Sequence, residues 1–225
     1  MIGKGISDYS YVSLFDKCDV PTLQKMINKI NRSVVYAMQT GGEHNTTLSD
    51  HYLEVCEKRW NDHSSVLLEI GNKKVDLQQV VKSDPKDMVT TAGLRNLIDL
   101  ILVLGSGRYV YIGKGTGQTS ASKSDTTLAS EVSPRQSVLS TITGLNGWTE
   151  WAGLSMRFAA LFGETHPTMA INESGVFTTS TSGTMLARDL YYPSAPMTHT
   201  QNVSAFLICL IVEFIPKNVL AYGGA

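Results

Sequence analysis

The spacing of hydrophobic residues divides the chain into two parts. Residues 21–38 carry apolar side chains at every third or fourth position, which predicts an amphipathic helix that begins at a proline. A second, shorter helix is predicted over residues 51–60, and Gly71-Asn72 between two β-compatible runs predicts a hairpin. The apolar positions between residues 85 and 105 again follow a helical spacing and predict a third helix.

From residue 107 onward the pattern changes to short β-strands. Apolar runs are separated by clusters of Gly, Pro, Ser and Thr, which is typical of antiparallel sheets. The last run is apolar on both faces, so we expect one face in a sandwich core and the other against a second sheet or a neighbouring subunit. The predicted strands cover residues 136–143, 153–162, 169–178, 184–192 and 203–215.

The two patterns together predict a fold class and a division of the chain. We expect an α+β protein whose helix-rich N-terminal part, residues 1–92, is a mixed attachment region. Residues 93–225 are expected to form an antiparallel β-sandwich or jelly-roll-like domain, because several short strands follow one another without helices between them.

Composition and charge exclude several classes of function. The formal net charge is -1 and no block of Lys or Arg occurs, so the chain lacks the basic surface that non-specific nucleic-acid binding requires. The three cysteines are scattered and neither these nor the histidines form a metal motif, so no disulfide scaffold, metal or cofactor is expected. The apolar run at residues 203–215 contains Glu213 and is too short for a membrane-spanning helix, so no membrane anchor is expected.

The glycine-rich stretch GRYVYIGKGTGQTSAS raises the possibility of a phosphate site. Its spacing matches neither a P-loop nor a dinucleotide fingerprint, because Gly107 lies one residue too far from Gly113 and Gly115 occupies the Ser/Thr position. We therefore expect these glycines to form a turn at a sheet corner and Lys114 to be incidental.

No nucleophile motif supports an enzyme. A hydrolase acting on envelope polymers is the catalytic alternative, but the chain offers neither a nucleophile with its base nor a paired-carboxylate motif. Single acidic residues are expected at the surface or in turns: Glu131, Glu150, Glu164 and Glu173. The protein is expected not to be an enzyme.

Four aromatic residues are candidates for binding sugars. Trp148 and Trp151 can each present a flat face to a sugar ring, as can Tyr191 and Tyr192. Tryptophans in such positions also fill sandwich edges or subunit interfaces, and both interpretations remain open at this point.

Several short motifs follow one another between residues 93 and 215. The segment GLRNLIDLI precedes YVYIGKGTG, and SDTTLASEV follows. The hairpin sequence INESGVFTTSTSGTMLARDLYY then precedes the closing apolar strand. In this order the chain resembles a group of structural proteins of tailed bacteriophages and related archaeal viruses. The residues that carry the resemblance are Gly113, Gly115, Gly117, Asp125, Glu131, Arg135, Glu173, Gly175 and Arg188.

The resemblance implies a structural protein of the virion that acts through assembly rather than catalysis. It would be a homo-oligomeric component of a viral tail or appendage, such as a tail fibre, baseplate, neck or spike. Its partners would be further copies of itself and other virion proteins. Two alternatives remain: a capsid-decorating or vertex turret protein, or a module at an appendage tip that binds a host-surface glycan or receptor.

The charged motif residues also have expected physical roles. Asp125 is expected to cap the turn that follows it by accepting backbone N–H groups. Glu131 is expected to pair with Arg135 one helical turn on, or with Arg188 across the sheet.

Overall fold

The structure is a computed structural model that describes residues 6–83, 88–91, 93, 110–138, 147–152, 155–191 and 197–214. Within these residues strands account for 42% and helices for 25%. Two α-helices are present there, α1 (Val20–Thr40) and α2 (Thr47–Asp62), after a short 3-10 helix at Lys17–Asp19. The strands are β1 (Ile6–Asp16), β2 (Leu67–Ile70), β3 (Lys73–Asp76), β4 (Gln79–Lys82), β5 (Met88–Val89), β6 (Tyr111–Gly115), β7 (Gln136–Ser137), β8 (Gly147–Ala152), β9 (Ser155–Phe162), β10 (Met169–Ile171), β11 (Glu173–Phe177), β12 (Met185–Leu190), β13 (Met197–His199) and β14 (Ser204–Phe214).

The protein is therefore mostly β, and the predicted α+β class with a helix-rich N-terminal part is wrong. The first part of the chain contributes β1 to β5 in addition to the two helices. The physical reason lies in β1, which pairs antiparallel with β14 over its whole length, from Ile6 opposite Phe214 to Asp16 opposite Ser204. The sheet-rich fold remains compatible with a β-sandwich. The expected division at residue 92 stays a prediction, since that residue lies outside the described ones.

Two five-stranded antiparallel sheets form the body of the protein. The central sheet has the order β4-β1-β14-β9-β8, and the outer sheet has the order β5-β12-β11-β6-β7. The pair β10-β13 and the hairpin β2-β3 are separate. The predicted hairpin turn at Gly71-Asn72 is confirmed, and Gly71 adopts a left-handed φ of 65°.

Strand β14 is buried on both faces, as its sequence predicts, but not by the expected neighbours. Ile208 and Leu210 belong to the core between the two sheets. Leu207 and Ile211 belong to a second core, which the helices cover. The outward face of β14 therefore meets helices of the same chain, and not a second sheet or another subunit.

The helices cover that face because their apolar residues form one stripe. Leu23, Met26, Ile27 and Ile30 of α1 follow the helical repeat and are all fully buried or nearly so. Pro21 lies in the first turn of α1, where its missing N–H costs nothing, and Gly41 ends the helix with a left-handed φ of 67°. The first two predicted helices are confirmed, with α2 longer than expected at both ends.

Two other predictions differ from the structure. Met88–Val89 form β5, which pairs with β12, so the predicted third helix is wrong at these two residues, whereas Thr91 and Gly93 are helical as predicted. The rest of that segment lies outside the described residues, apart from positions 90, 91 and 93. The strand predicted at residues 136–143 is present as β7 only at Gln136–Ser137, and residues 139–146 are likewise not described.

Candidate functional site

The motif residues lie together on the side of the outer sheet that faces away from the central sheet. In the register of β6, β11 and β12, Gly113 lies opposite Gly175, and Gly175 lies opposite Arg188. Glu173 lies opposite Gly115 in the same way. The segment 116–135 crosses this glycine-rich surface. We call the five charged residues that hold the segment the loop clamp: Asp125, Glu131, Arg135, Glu173 and Arg188.

Glu173 is the centre of the loop clamp. Its side chain is fully buried, which contradicts the expectation of a surface or turn residue. The carboxylate accepts backbone N–H groups from Gly117 at 3.1 Å, Ala129 at 3.1 Å and Ser130 at 2.7 Å, and it accepts from Arg188 Nε at 2.9 Å. A buried carboxylate is stable only with such compensation, so these four donors explain how Glu173 tolerates burial.

Arg188 connects the opposite end of the same segment. Its Nη1 donates to Asp125 Oδ2 at 2.7 Å, and its Nη2 donates to the carbonyl of Thr119 at 2.9 Å. Asp125 also accepts the backbone N–H of Ser122 at 2.9 Å, so it caps the turn that precedes it instead of the one that follows. The guanidinium is 2% exposed and its hydrogen bonds go to protein groups, so it is not placed to receive an anion.

Glu131 and Arg135 form the pair that the spacing predicts. Arg135 donates from Nε to Oε1 at 2.6 Å and from Nη2 to Oε2 at 2.9 Å. Its Nη1 reaches the carbonyls of Thr179 and Ser182 in the β11–β12 connection, and the guanidinium carbon lies 3.4 Å from the centre of the Phe177 ring. This pair therefore attaches the crossing segment to the neighbouring hairpin.

The glycines serve close packing and not a turn. Gly113 and Gly115 lie inside β6, and none of the three loop glycines has a positive φ. A Cβ on Gly115 would lie 2.5 Å from both Glu173 Oε1 and the carbonyl oxygen of Ser130, and one on Gly113 would lie 2.9 Å from Phe177. A Cβ on Gly117 would overlap the Glu173 carboxylate. The expected sheet corner is therefore wrong, since Gly113 and Gly115 lie within a strand. Glycine is needed at positions 115 and 117 because the Glu173 carboxylate occupies the space that a side chain would fill.

Lys114 is not incidental either. It is fully buried, and its Nζ donates to the carbonyls of Val132 at 2.8 Å and Pro134 at 2.9 Å. Nζ also lies 4.9 Å from the centre of the Phe162 ring. Burial lowers the pKa of this ammonium group to about 8. Lys114 thus holds the end of the crossing segment from the core side of β6.

The four aromatic candidates have different environments. Trp148 and Tyr191 are fully buried, so neither can stack on a sugar. Trp148 packs edge-on against Tyr52 in the helix-covered core. Tyr191 shares hydrogen bonds of 2.7 Å with the hydroxyls of Ser10 and Ser174 and so connects the two sheets. Tyr192 lies outside the described residues.

Trp151 is 45% exposed and borders a cleft of about 480 Å³. We call this the Trp151 cleft, and its lining comprises Glu43, His44, Thr46, Asp50, Trp151 and Ala152. The Trp151 and His44 rings lie 5.9 Å apart at their centres. The cleft thus combines one exposed aromatic face with carboxylate and hydroxyl groups.

A polar cluster adjoins this cleft and was not predicted; its His44 and Glu150 side chains are buried, and Asp50 lines the cleft. His44 Nε2 lies 2.6 Å from Glu150 Oε2, and Arg157 Nη1 donates to Glu150 Oε1 at 3.2 Å. Arg157 Nη2 pairs with Asp50 Oδ1 at 2.6 Å, and Ser33 Oγ lies 3.1 Å from His44 Nδ1. Glu150 is 1% exposed, so its expected surface position is wrong. The cluster residues come from five segments, α1, the α1–α2 connection, α2, β8 and β9, so the sequence contains no short motif that indicates the cluster.

The chain matches no family model, no curated protein and no solved structure in comparisons with known proteins. Among the described residues no group of three His, Cys, Asp or Glu side chains is placed to hold a metal ion. No helix in the described part of the chain is long and apolar enough to cross a membrane. The arrangement of the loop clamp can stabilise a fold, and its charged groups are engaged with one another and with the backbone.

Proposed function

We propose that the protein is a structural component of a virus particle that acts through homo-oligomeric assembly, in a tail or appendage. One observation carries the proposal. The nine residues that resemble the viral structural proteins lie together in and around the loop clamp, where Gly115 and Gly117 leave room for the buried Glu173 carboxylate, and Arg188 and Arg135 pair with the acidic residues. The motif residues hold the crossing segment against the outer sheet, and their charged groups bond to one another and to the backbone. This supports a structural role for the motif.

The surface supports assembly as well. Charged residues make up only 17% of the chain, and several large apolar side chains are exposed. Three of them, Val35, Tyr36 and Met38, are 48%, 65% and 68% exposed within two turns of one helix. Exposed apolar groups that cluster in this way are a common feature of subunit interfaces. A capsid-decorating or vertex turret protein would have the same surface properties. The location of the protein in the virus particle distinguishes these alternatives from a tail or appendage component.

Two measurements test the proposal. Purified protein at micromolar concentration should give the mass of a defined oligomer by light scattering after size exclusion. In particles of the virus that encodes the chain, mass spectrometry should detect it, and cryo-EM should place it in the tail, neck or baseplate. A protein that is strictly monomeric and absent from particles would contradict the proposal. Density on the capsid surface would instead favour the decorating or turret position.

A second candidate function rests on the Trp151 cleft. An exposed indole beside Thr46 and Asp50 offers both a stacking face and hydrogen-bond partners for the hydroxyl groups of a sugar. The module would then bind a host-surface glycan at an appendage tip. This candidate depends on Trp151 alone among the described aromatic candidates, because Trp148 and Tyr191 are buried.

Glycan-array binding tests this second function. Trp151→Ala should abolish binding, while Leu67→Ala, which removes another large exposed apolar side chain at 43% exposure, should leave it unchanged. The oligomer mass of both variants serves as the control for folding. Absence of binding to any glycan, or equal binding by both variants, would overturn this role of Trp151.

A further inference from the structure

The hydrogen-bonding groups of the Trp151 cleft restrict the kind of sugar that the cleft can bind. Its volume of about 480 Å³ lies within the range of small-molecule sites, roughly 300–1,000 Å³, and leaves room for a monosaccharide. A polar ligand group is bound well only when it finds a partner of the opposite kind, a donor for each acceptor and an acceptor for each donor. The side chains that are free to donate or to accept therefore decide which sugar fits.

The nitrogen donors at the cleft are already committed to protein groups. The His44 side chain is 1% exposed, with Nε2 2.6 Å from Glu150 and Nδ1 3.1 Å from Ser33. The Arg157 side chain is 12% exposed, and its Nη1 and Nη2 bond to Glu150 and Asp50. Its Nε is buried away from solvent. Neither side chain therefore offers an N–H group to an acceptor on a ligand.

Thr46 and Asp50 present only oxygen lone pairs to the cleft. The Thr46 hydroxyl donates to Asp50 Oδ2 at 2.5 Å, and Arg157 Nη2 lies 2.6 Å from Asp50 Oδ1. Burial raises the pKa of Asp50, but the bonds from Thr46 and Arg157 outweigh burial and hold that pKa below its usual value. An ionised carboxylate has about four lone-pair sites, and the Asp50 side chain is 42% exposed. Asp50 thus remains an acceptor for a ligand although Arg157 compensates its charge.

Glu43 and Trp151 complete the lining of the cleft. Glu43 is exposed and forms no ion pair or side-chain hydrogen bond with a described residue. The Trp151 side chain is 45% exposed, and the face of an indole ring attracts cations through its quadrupole. Among the lining side chains the indole N–H is the one donor that is left for a ligand. The other free groups of the cleft are carboxylate and hydroxyl lone pairs and an aromatic face.

We propose that the Trp151 cleft binds a sugar with a free, protonated amino group, a hexosamine residue of a host-surface glycan, with the ammonium group facing Trp151, Glu43 and Asp50. An ammonium group donates three hydrogen bonds and accepts none, which matches this lining. The indole face and the unpaired Glu43 carboxylate also attract its charge. A carboxylated sugar would meet lone pairs and like charge, so the cleft excludes acidic sugars. The assignment rests on the second candidate function and names the class of sugar that the cleft selects.

Three sugars with the same ring and different charge test the proposal. Glucosamine, glucose and glucuronic acid are titrated into the full chain labelled with 5-fluorotryptophan, at a pH where the amine is protonated. The ¹⁹F resonance that is lost in Trp151→Phe reports binding at the cleft. Glucosamine should bind about tenfold more tightly than glucose, and glucuronic acid should not bind. Equal binding of glucosamine and glucose, binding of glucuronic acid, or no response to any of the three sugars would overturn the proposed specificity.

A carboxylate variant and a matched control sharpen the test. Glu43→Gln should weaken glucosamine binding about threefold and leave glucose binding unchanged. Asp62→Asn removes an exposed carboxylate outside the cleft and should change neither. A Glu43→Gln protein with unchanged preference for glucosamine would contradict the role of this carboxylate.

Two further outcomes separate the ligand class from the second candidate function. n-Butylammonium that binds as tightly as glucosamine would overturn a sugar ligand in favour of a lysine side chain. Glycan-array binding that is confined to neutral or acidic glycans and is lost in Trp151→Ala would overturn the ammonium specificity but leave glycan binding standing. Absence of binding to any glycan or sugar would overturn both.

Discussion

The two sides of the central sheet are covered in different ways. On one side α1 and α2 lie across the sheet, and the polar cluster of His44, Asp50, Glu150 and Arg157 connects the helices to β8 and β9. On the other side the outer sheet packs, and the loop clamp lies on its far surface. Buried charge is compensated on both sides, but the clamp residues lie between positions 125 and 188, while the cluster joins positions 44 and 50 to positions 150 and 157. Substitutions on each side of the sheet measure how much that side contributes to stability.

The largest effect is expected for a charge placed in β14. Ile208 faces the outer sheet and Ile211 faces the helices, and both are at most 1% exposed. Ile208→Asp and Ile211→Asp should each prevent folding, because a carboxylate without a partner is buried at a cost of several kcal/mol. Soluble yield and the circular dichroism spectrum measure the effect, with Val203→Asp as a control at an exposed position. A folded Ile211→Asp protein would show that the helical cover can separate from the sheet.

A somewhat smaller loss is expected when the loop clamp is opened. Arg188→Met leaves the buried Glu173 carboxylate without its cationic partner and should lower the free energy of unfolding by about 3–5 kcal/mol. The double variant Glu173→Gln/Arg188→Met removes both charges and should be more stable than Arg188→Met alone. Urea denaturation of the variants gives these values. Equal stability of the single and double variants would indicate that the ion pair does not set the stability of the clamp.

The corresponding change in the polar cluster should cost less. Glu150→Gln removes the carboxylate between His44 and Arg157, but Arg157 keeps its pair with Asp50 at 2.6 Å. We expect a loss of about 2 kcal/mol, as for a buried hydrogen bond to a charged group. The same urea experiment measures it, so the two sides of the sheet are compared directly. A loss larger than that of Arg188→Met would reverse the expected order.

The smallest effect concerns pH and belongs to the outer-sheet side. Burial, with the positive charge of Lys114, lowers the pKa of His166 from 6.5 to about 4. Because this folded-state pKa lies below the unfolded value, the unfolded chain takes up the proton first as the pH falls. Stability should therefore decrease between about pH 6.5 and pH 4, by on the order of 1 kcal/mol. Melting temperatures across this range should depend less on pH in His166→Gln than in the wild type.

Only some features of the candidate site could be predicted from the sequence. The Glu131–Arg135 pair was predictable, because its members lie four residues apart and helical or turn geometry brings such residues together. The sequence indicates Glu173 as a motif residue but not as a buried one. Its burial is stabilised by backbone N–H groups of residues 117, 129 and 130, which only the folded chain brings next to it. Trp148 and Trp151 looked equivalent in sequence, yet one is fully buried and the other is 45% exposed.

Local pattern by itself determined the elements whose periodicity is complete within one segment. The helical repeat of α1, the turn at Gly71 and the double apolar character of β14 all follow from neighbouring residues. Only the tertiary structure decided what covers each face of β14 and where Arg188 finds its partners. Burial on a face depends on how distant segments pack, and packing of that kind leaves no periodicity in the chain. The mostly β character was decided in the same way, because β1 gains its hydrogen bonds from a strand almost two hundred residues away.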